Sequence, residues 1–132
     1  MSLEGRINMS YVGIVLISHS PKVVEGIHDI VRQVIKDVPV ELAGGTDENE
    51  IGTSIEKIQK AIHRANKGKG VLMFYDIGSA KMNAEMAAET SQEMDVKVLE
   101  APLLEGAYVA IVESSMGKDL QGIADAVTKE FG

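Results

Sequence analysis

Between Tyr11 and Ile17 the chain reads Tyr-Val-Gly-Ile-Val-Leu-Ile, an apolar, β-branched run without polar alternation. A strand with one wet face alternates. This run offers no face to water, so it calls for cover on both sides, as in a parallel sheet carrying helices on each face. It stops at Ser18-His19-Ser20-Pro21, after which Val23, Val24, Ile27, Ile30, Val31, Val34 and Ile35 recur at spacings of three and four. That spacing predicts a helix with Ser20 as N-cap and Pro21 at its first position.

The βα pattern then repeats. Val40–Ala43 reads as a short strand and Gly44-Gly45-Thr46-Asp47-Glu48 as a loop. Thr53 with Glu56 three residues on reads as a capping box, for a helix whose inward stripe is Ile55, Ile58, Ile62 and Ala65. The Lys67–Gly70 turn leads into a third strand, Val71–Tyr75, which ends in Asp76. Gly78-Ser79-Ala80 opens a third helix with Met82, Met86 and Ala87 expected to face inward. A fourth strand is expected at Val96–Leu99, a fourth helix at Leu103–Ser115 behind Pro102, and a last helix at Asp119–Phe131. The expected fold class is α/β: an open, mainly parallel four-stranded sheet with helices on both faces. In such sheets chemistry gathers beyond the carboxyl ends of the strands, near the point where strand order reverses. Four loops are therefore expected to converge there: Ser18–Pro21, Gly44–Gly52, Asp76–Ser79 and Ala101–Glu105. The fourth helix is apolar nearly all round (Leu103, Leu104, Ala107, Tyr108, Val109, Ile111, Val112), which fits either a homodimer interface or a fully buried helix.

At 132 residues the chain suits one domain. Residues 1–8 lack periodicity and precede a second Met, so they read as an expression leader, with the domain spanning 9–132. Thirteen Lys and Arg against twenty Asp and Glu leave a net charge of −7, a poor match for nucleic-acid phosphates or an anionic membrane. There is no Cys, which excludes thiolate chemistry and Cys-based metal sites. With no apolar run of about 20 residues and no signal-peptide core, a cytoplasmic location is expected.

His19 stands between a strand end and a helix N-terminus, where free backbone amides favour a phosphate-like anion and an imidazole nitrogen can stay accessible. It reads as a nucleophile or as a polar strand-end residue bonded locally. Asp76, at the end of the third strand, can reach His19 if the two strands are neighbours and hold its tautomer; otherwise it caps the third helix. Gly44-Gly45-Thr46 offers either amides and a hydroxyl to the same anion or ordinary turn chemistry. His28 and His63 read as ordinary helix residues. Asp47, Glu48 and Glu50 read as a solvated loop ahead of a helix. No pair of His, or of His and carboxylate, falls at the spacing of a helical metal motif, and neither nucleotide-binding glycine motif is present.

Four motifs occur in order, each at a strand's carboxyl end: LISHSPKVVEGI, GGTDENEIGTS, YDIGSA and APLLEGAYVA. Together they resemble the DhaM family, phosphotransferase subunits of bacterial PTS-dependent dihydroxyacetone kinases, over residues 10–132. That domain is similar to the mannose-class enzymes IIA of the phosphoenolpyruvate:sugar phosphotransferase system. The resemblance implies that His19 takes a phosphoryl group from the phosphohistidine of HPr and passes it to ADP bound on the DhaL subunit. ATP formed there then serves DhaK, which binds dihydroxyacetone. It implies a homodimer, a supporting role for Asp76, and an anion-binding role for the Gly44–Thr46 loop. The candidate site is then His19 and Asp76 as the catalytic pair, with Ser20, Gly44, Gly45, Thr46, Gly78 and Ser79 around the phosphoryl group. No cofactor is expected on this chain; ADP or ATP with Mg²⁺ belongs to the DhaL partner. Some relatives continue into further domains, and this chain reads as the single-domain form. Its third-strand exit, Asp-Ile-Gly-Ser-Ala, departs from the Asp-Thr-x-Gly-Gly of sugar enzymes IIA, which favours DhaM.

Rival readings differ in chemistry. A receiver domain would place its acceptor at Asp76, but it needs an acidic pair after the first strand, where Ser18-His19-Ser20 stands. A sugar-specific enzyme IIA would hand its phosphoryl group to a IIB component, and a non-catalytic anion-binding module would use His19 only as a ligand contact.

Overall fold

The computed structural model describes residues 10–132, so the expected leader and the second Met lie outside the described residues. The elements are β1 (Gly13–Ser18), α1 (Pro21–Arg32), β2 (Val40–Gly44), α2 (Ile55–Ala65), β3 (Val71–Tyr75), α3 (Gly78–Thr90), β4 (Val96–Val98), α4 (Leu103–Ser115) and α5 (Leu120–Phe131). All pairings are parallel and the order is β2-β1-β3-β4. The four-stranded α/β sheet expected from the sequence is the one observed.

β1 lies at the centre, and all six of its residues are buried, as an unalternating run requires. Ile14 and Leu16 pack with Leu72 and Phe74 against Val24, Ile27 and Val31 of α1, Ala107, Ala110 and Ile111 of α4, and Ile123 of α5. Val15 and Ile17 face the other way, with Met73, toward Ile58, Ala61 and Ile62 of α2 and Ala80, Ala84 and Ala87 of α3. Helices therefore cover both faces. Since β1 runs on to β2 on one side while β3 sits on its other side, strand order reverses between β1 and β3. The carboxyl ends of those two strands, at Ser18 and Tyr75, are where a crevice should open.

Several helix faces differ from the expectation. In α1 the buried stripe is Val24, Ile27 and Val31, while Val23 and Ile30, and Val34 in the turn beyond the helix, are exposed. One stripe on a helix spans only part of the circumference. In α3 the inward face is Ala80, Ala84 and Ala87, and Met82 and Met86 point outward. Three alanines bring that helix close to the sheet; a methionine stripe would hold it off. The N-cap of α2 is Ser54, whose hydroxyl accepts from the amide of Lys57 at 3.1 Å, in place of Thr53. Thr53 instead accepts from the side-chain amide of Asn83 on α3. α4 touches β1, β3, α1 and α5. Of its apolar residues Ala107 and Ile111 are buried, Leu103, Leu104, Val109 and Val112 are half-buried, and Tyr108 is exposed.

Candidate active site

Register decides which side chains meet. Ile17 of β1 pairs with Tyr75 of β3, so one step on, Ser18 and His19 come level with Asp76. Parallel neighbours release these residues at the same end of the sheet, and the His19–Asp76 encounter follows from the strand order.

Asp76 is the hub. Its Oδ2 accepts the Ser18 hydroxyl at 2.8 Å and the His19 backbone N–H at 3.0 Å. Its Oδ1 lies 3.1 Å from His19 Nδ1 and accepts the Ile77 N–H at 2.7 Å. Burial alone pushes this carboxyl upward, but the hydrogen bonds from Ser18, from the backbone and ring of His19, and from Ile77 outweigh it, holding Asp76 below its ordinary value. A carboxylate only accepts, so Nδ1 must carry the proton in this contact, and in the neutral ring the lone pair is then on Nε2. Nε2 lies 2.9 Å from Ser79 Oγ, whose hydroxyl can donate to it. The side chains of His19 and Asp76 are 22% and 21% exposed, seated yet reachable from solvent.

Ser79 belongs to the first turn of α3, whose N-cap is Ile77. No intrahelical carbonyl reaches the amides of Gly78 and Ser79 at that position, so the ring's lone pair faces a helix N-terminus with free donors. Helix α1, which follows His19 directly, opens on Pro21, which has no N–H, and Ser20 makes no side-chain cap bond. Of the two helix starts beside His19, α3 is the one whose side chain reaches Nε2, through Ser79.

The Gly44–Gly52 loop is used differently from the expectation. The Gly45 amide donates to Ser18 O at 3.0 Å and the Thr46 amide to Glu50 O at 2.9 Å, while Thr46 Oγ1 accepts from the Glu50 amide. Both amides are spent within the scaffold, while the Thr46 hydroxyl keeps its own proton. A Cβ on Gly44 would lie 2.6 Å from Val24 and 2.7 Å from Pro21, and Gly45 has φ +76, so this pair serves close packing and a left-handed turn. The loop does reach the site through Gly52, whose amide donates to His19 O at 2.9 Å. Lys57 ties the loop down, donating to Gly44 O at 3.0 Å and Asn49 Oδ1 at 2.6 Å. The Ala101–Glu105 loop makes no hydrogen bond to His19, and neighbouring Glu100 binds Lys81 and Tyr75 instead.

The remaining candidates lie apart. His28 is half-buried on α1, and exposed His63 contacts Glu93. Asp47 accepts from the Ser54 hydroxyl and so supports the α2 cap, while Glu48 and Glu50 are exposed. Sequence reasoning passed over Ser18 and Gly52. Only the neighbouring of β1 and β3 makes Ser18 a partner of Asp76, and Gly52 acts through its backbone.

Residues 13–124 match the EIIA-man family, described as the PTS system fructose IIA component. The chain is 43% identical over 112 residues to the phosphoryl donor subunit DhaM of PEP-dependent dihydroxyacetone kinase 1 from Listeria innocua, covering 85% of this chain and 89% of that one. It is 35% identical to the phosphotransferase subunit DhaM of the PTS-dependent dihydroxyacetone kinase of Lactococcus lactis, covering 92% and 96%. Against the DhaM of Escherichia coli it is 34% identical and spans 25% of that longer protein. A solved structure of a protein of unknown function superposes with a TM-score of 0.81 at 28% identity, covering 92% of this chain and 95% of the other. The chain belongs to the EIIA-man family, among the relatives named DhaM.

Proposed function

We propose that this chain is a phosphocarrier, the DhaM subunit of a PTS-dependent dihydroxyacetone kinase, in which His19 accepts a phosphoryl group on Nε2 from phospho-HPr. The observation that carries this reading is the polarity of the imidazole: Nδ1 is bound to Asp76, and Nε2 faces the first turn of α3. In the first step the Nε2 lone pair attacks phosphorus, a new N–P bond forms, and the donor's N–P bond breaks with its electron pair returning to the donor imidazole. Phosphoryl transfer has a loose, in-line transition state, so positioning and charge stabilisation are what the protein must supply. Gly78 and Ser79 amides and the Ser79 hydroxyl stabilise the phosphoryl oxygens, and Asp76 stabilises the positive charge on the ring through Nδ1–H.

In the second step an oxygen of the terminal phosphate of ADP, bound with Mg²⁺ on DhaL, attacks phosphorus, and the N–P electron pair returns to Nε2. The ATP so formed serves DhaK. Three large apolar side chains that neighbour site residues along the chain are more than half exposed: Ile51 beside Gly52, Ile77 beside Asp76, and Met82 one turn beyond Ser79. Exposed apolar side chains around a transfer site suit protein partners better than a small solute. Residues 9–132 act as one domain, in the cytoplasm, as a homodimer that sedimentation equilibrium would reveal.

Incubation with phosphoenolpyruvate, enzyme I and HPr tests the reading. One acid-labile, alkali-stable phosphoryl group is expected, absent from His19→Ala and drained to ATP when DhaL with ADP is added. Drainage to a IIB component in place of DhaL would make the chain a sugar-specific enzyme IIA. Anion binding without covalent phosphate would make it a binding module.

A further inference from the structure

Among the described residues two polar side chains are buried, Ser18 and Ser114, each 0% exposed. A buried hydroxyl is costly unless bonded, so the direction of its bonds shows what it serves. Ser114 donates to Val12 O at 2.7 Å and ties α4 to the region just before β1. Ser18 serves something else. Its Oγ accepts the Ser20 N–H at 3.0 Å and sends its single proton to Asp76 Oδ2 at 2.8 Å. The same Oδ2 accepts the His19 N–H. One hydroxyl therefore links the residue after His19 to the carboxylate that holds the His19 ring. The β1 residues before it, Ile14 to Ile17, are all apolar, and the sheet itself has no use for a hydroxyl at this position.

We propose that Ser18 is a positioning residue for phosphoryl transfer: by fixing the Asp76 carboxylate it keeps the imidazole in the Nδ1–H form with Nε2 turned toward α3. The proposal rests on the reading of His19 as acceptor, but its structural half can be measured without any transfer. Ser18 is too deeply buried to touch a partner, so its effect passes through Asp76. Without the hydroxyl, Oδ2 loses a donor and the Ser20 amide loses its acceptor. The carboxylate is then held only by the His19 and Ile77 N–H groups and the ring, with more freedom to turn, and the Nε2–H form gains population.

The test uses ¹⁵N-labelled protein with Ser18→Ala and Ser18→Thr. Imidazole ¹⁵N shifts of His19 are read in the unphosphorylated state, kcat and KM for acceptance from phospho-HPr in the transfer assay, and melting curves for fold integrity. For Ser18→Ala the ¹⁵N shifts should move toward the Nε2–H form and kcat should fall about tenfold with KM unchanged, the size expected for one charge-assisted hydrogen bond. Ser18→Thr should restore both. Wild-type ¹⁵N shifts in Ser18→Ala, or wild-type kcat, would overturn the proposal. If Ser18→Ala does not fold, Ser18→Cys, which keeps the volume with a weak donor, takes its place under the same criteria. Absence of phosphoryl transfer in the wild type would sink the acceptor reading of His19, while the ¹⁵N shifts would still decide whether Ser18 governs the ring.

Discussion

At the scale of residues, the site depends on one carboxylate that can only accept. Asp76→Asn keeps the shape but offers an amide that can donate to Nδ1, which moves the ring proton to Nε2 and blocks the nucleophile. Acceptance from phospho-HPr should fall on the order of a hundredfold, as a rapid-quench assay would show. The same carboxylate has a stability signature. Its value is lowered in the fold, so its stabilisation is present above the unfolded carboxylate value near about 4 and is lost as pH falls through the folded one. Asp76→Asn should therefore melt lower than wild type at pH 7, and the gap should close on acidification. A gap that persists unchanged at about pH 2 would contradict this. His19 and Asp76 were legible as candidates because strand-end residues in an α/β pattern carry chemistry. Ser18 was not legible, because a serine closing a buried strand has no local mark that says where its proton goes.

Among elements, the sequence gives strands and helices more readily than the faces they use. The β1 run and the positions of Pro21 and Pro102 are local signals, and they marked their elements to within a residue or two. The inward faces of α1 and α3 depend on which side meets the sheet, and apolar side chains on both sides of a helix hide that choice. The α2 cap is a case where the local rule, which favours Thr53 through Glu56, gives way to the tertiary bond between Thr53 and Asn83. Ser54→Ala should cost about 1 kcal/mol in chemical denaturation, whereas Thr53→Ala should cost less, since its hydroxyl bonds Asn83 and no helix amide. Close packing beside the site gives a second check. Gly44→Ala would force a Cβ against Pro21 and Val24, so it should destabilise the protein and disturb the start of α1. An unchanged melting temperature would show that the β2 end yields more easily than its contacts imply.

For the whole molecule, the decisive fact is the strand order, which periodicity does not reveal, because an apolar strand pattern marks cover on its faces and does not name its neighbours. The observed order, β2-β1-β3-β4, makes the ends of β1 and β3 neighbours at the reversal and joins His19 to Asp76. Exposed Ile51, Ile77 and Met82 flank Gly52, Asp76 and Ser79 along the chain, and in the proposed function they meet the phosphoryl donor. Ile51→Ser with Met82→Ser should raise KM for phospho-HPr severalfold while leaving kcat and the melting temperature near wild type, because these side chains carry little of the core. The most direct test of the central claim is the position of phosphorus on the imidazole. ³¹P and ¹⁵N NMR of the protein phosphorylated through enzyme I and HPr should show a single phosphohistidine at His19 with phosphorus on Nε2. Phosphorus on Nδ1, or on any residue other than His19, would contradict the account.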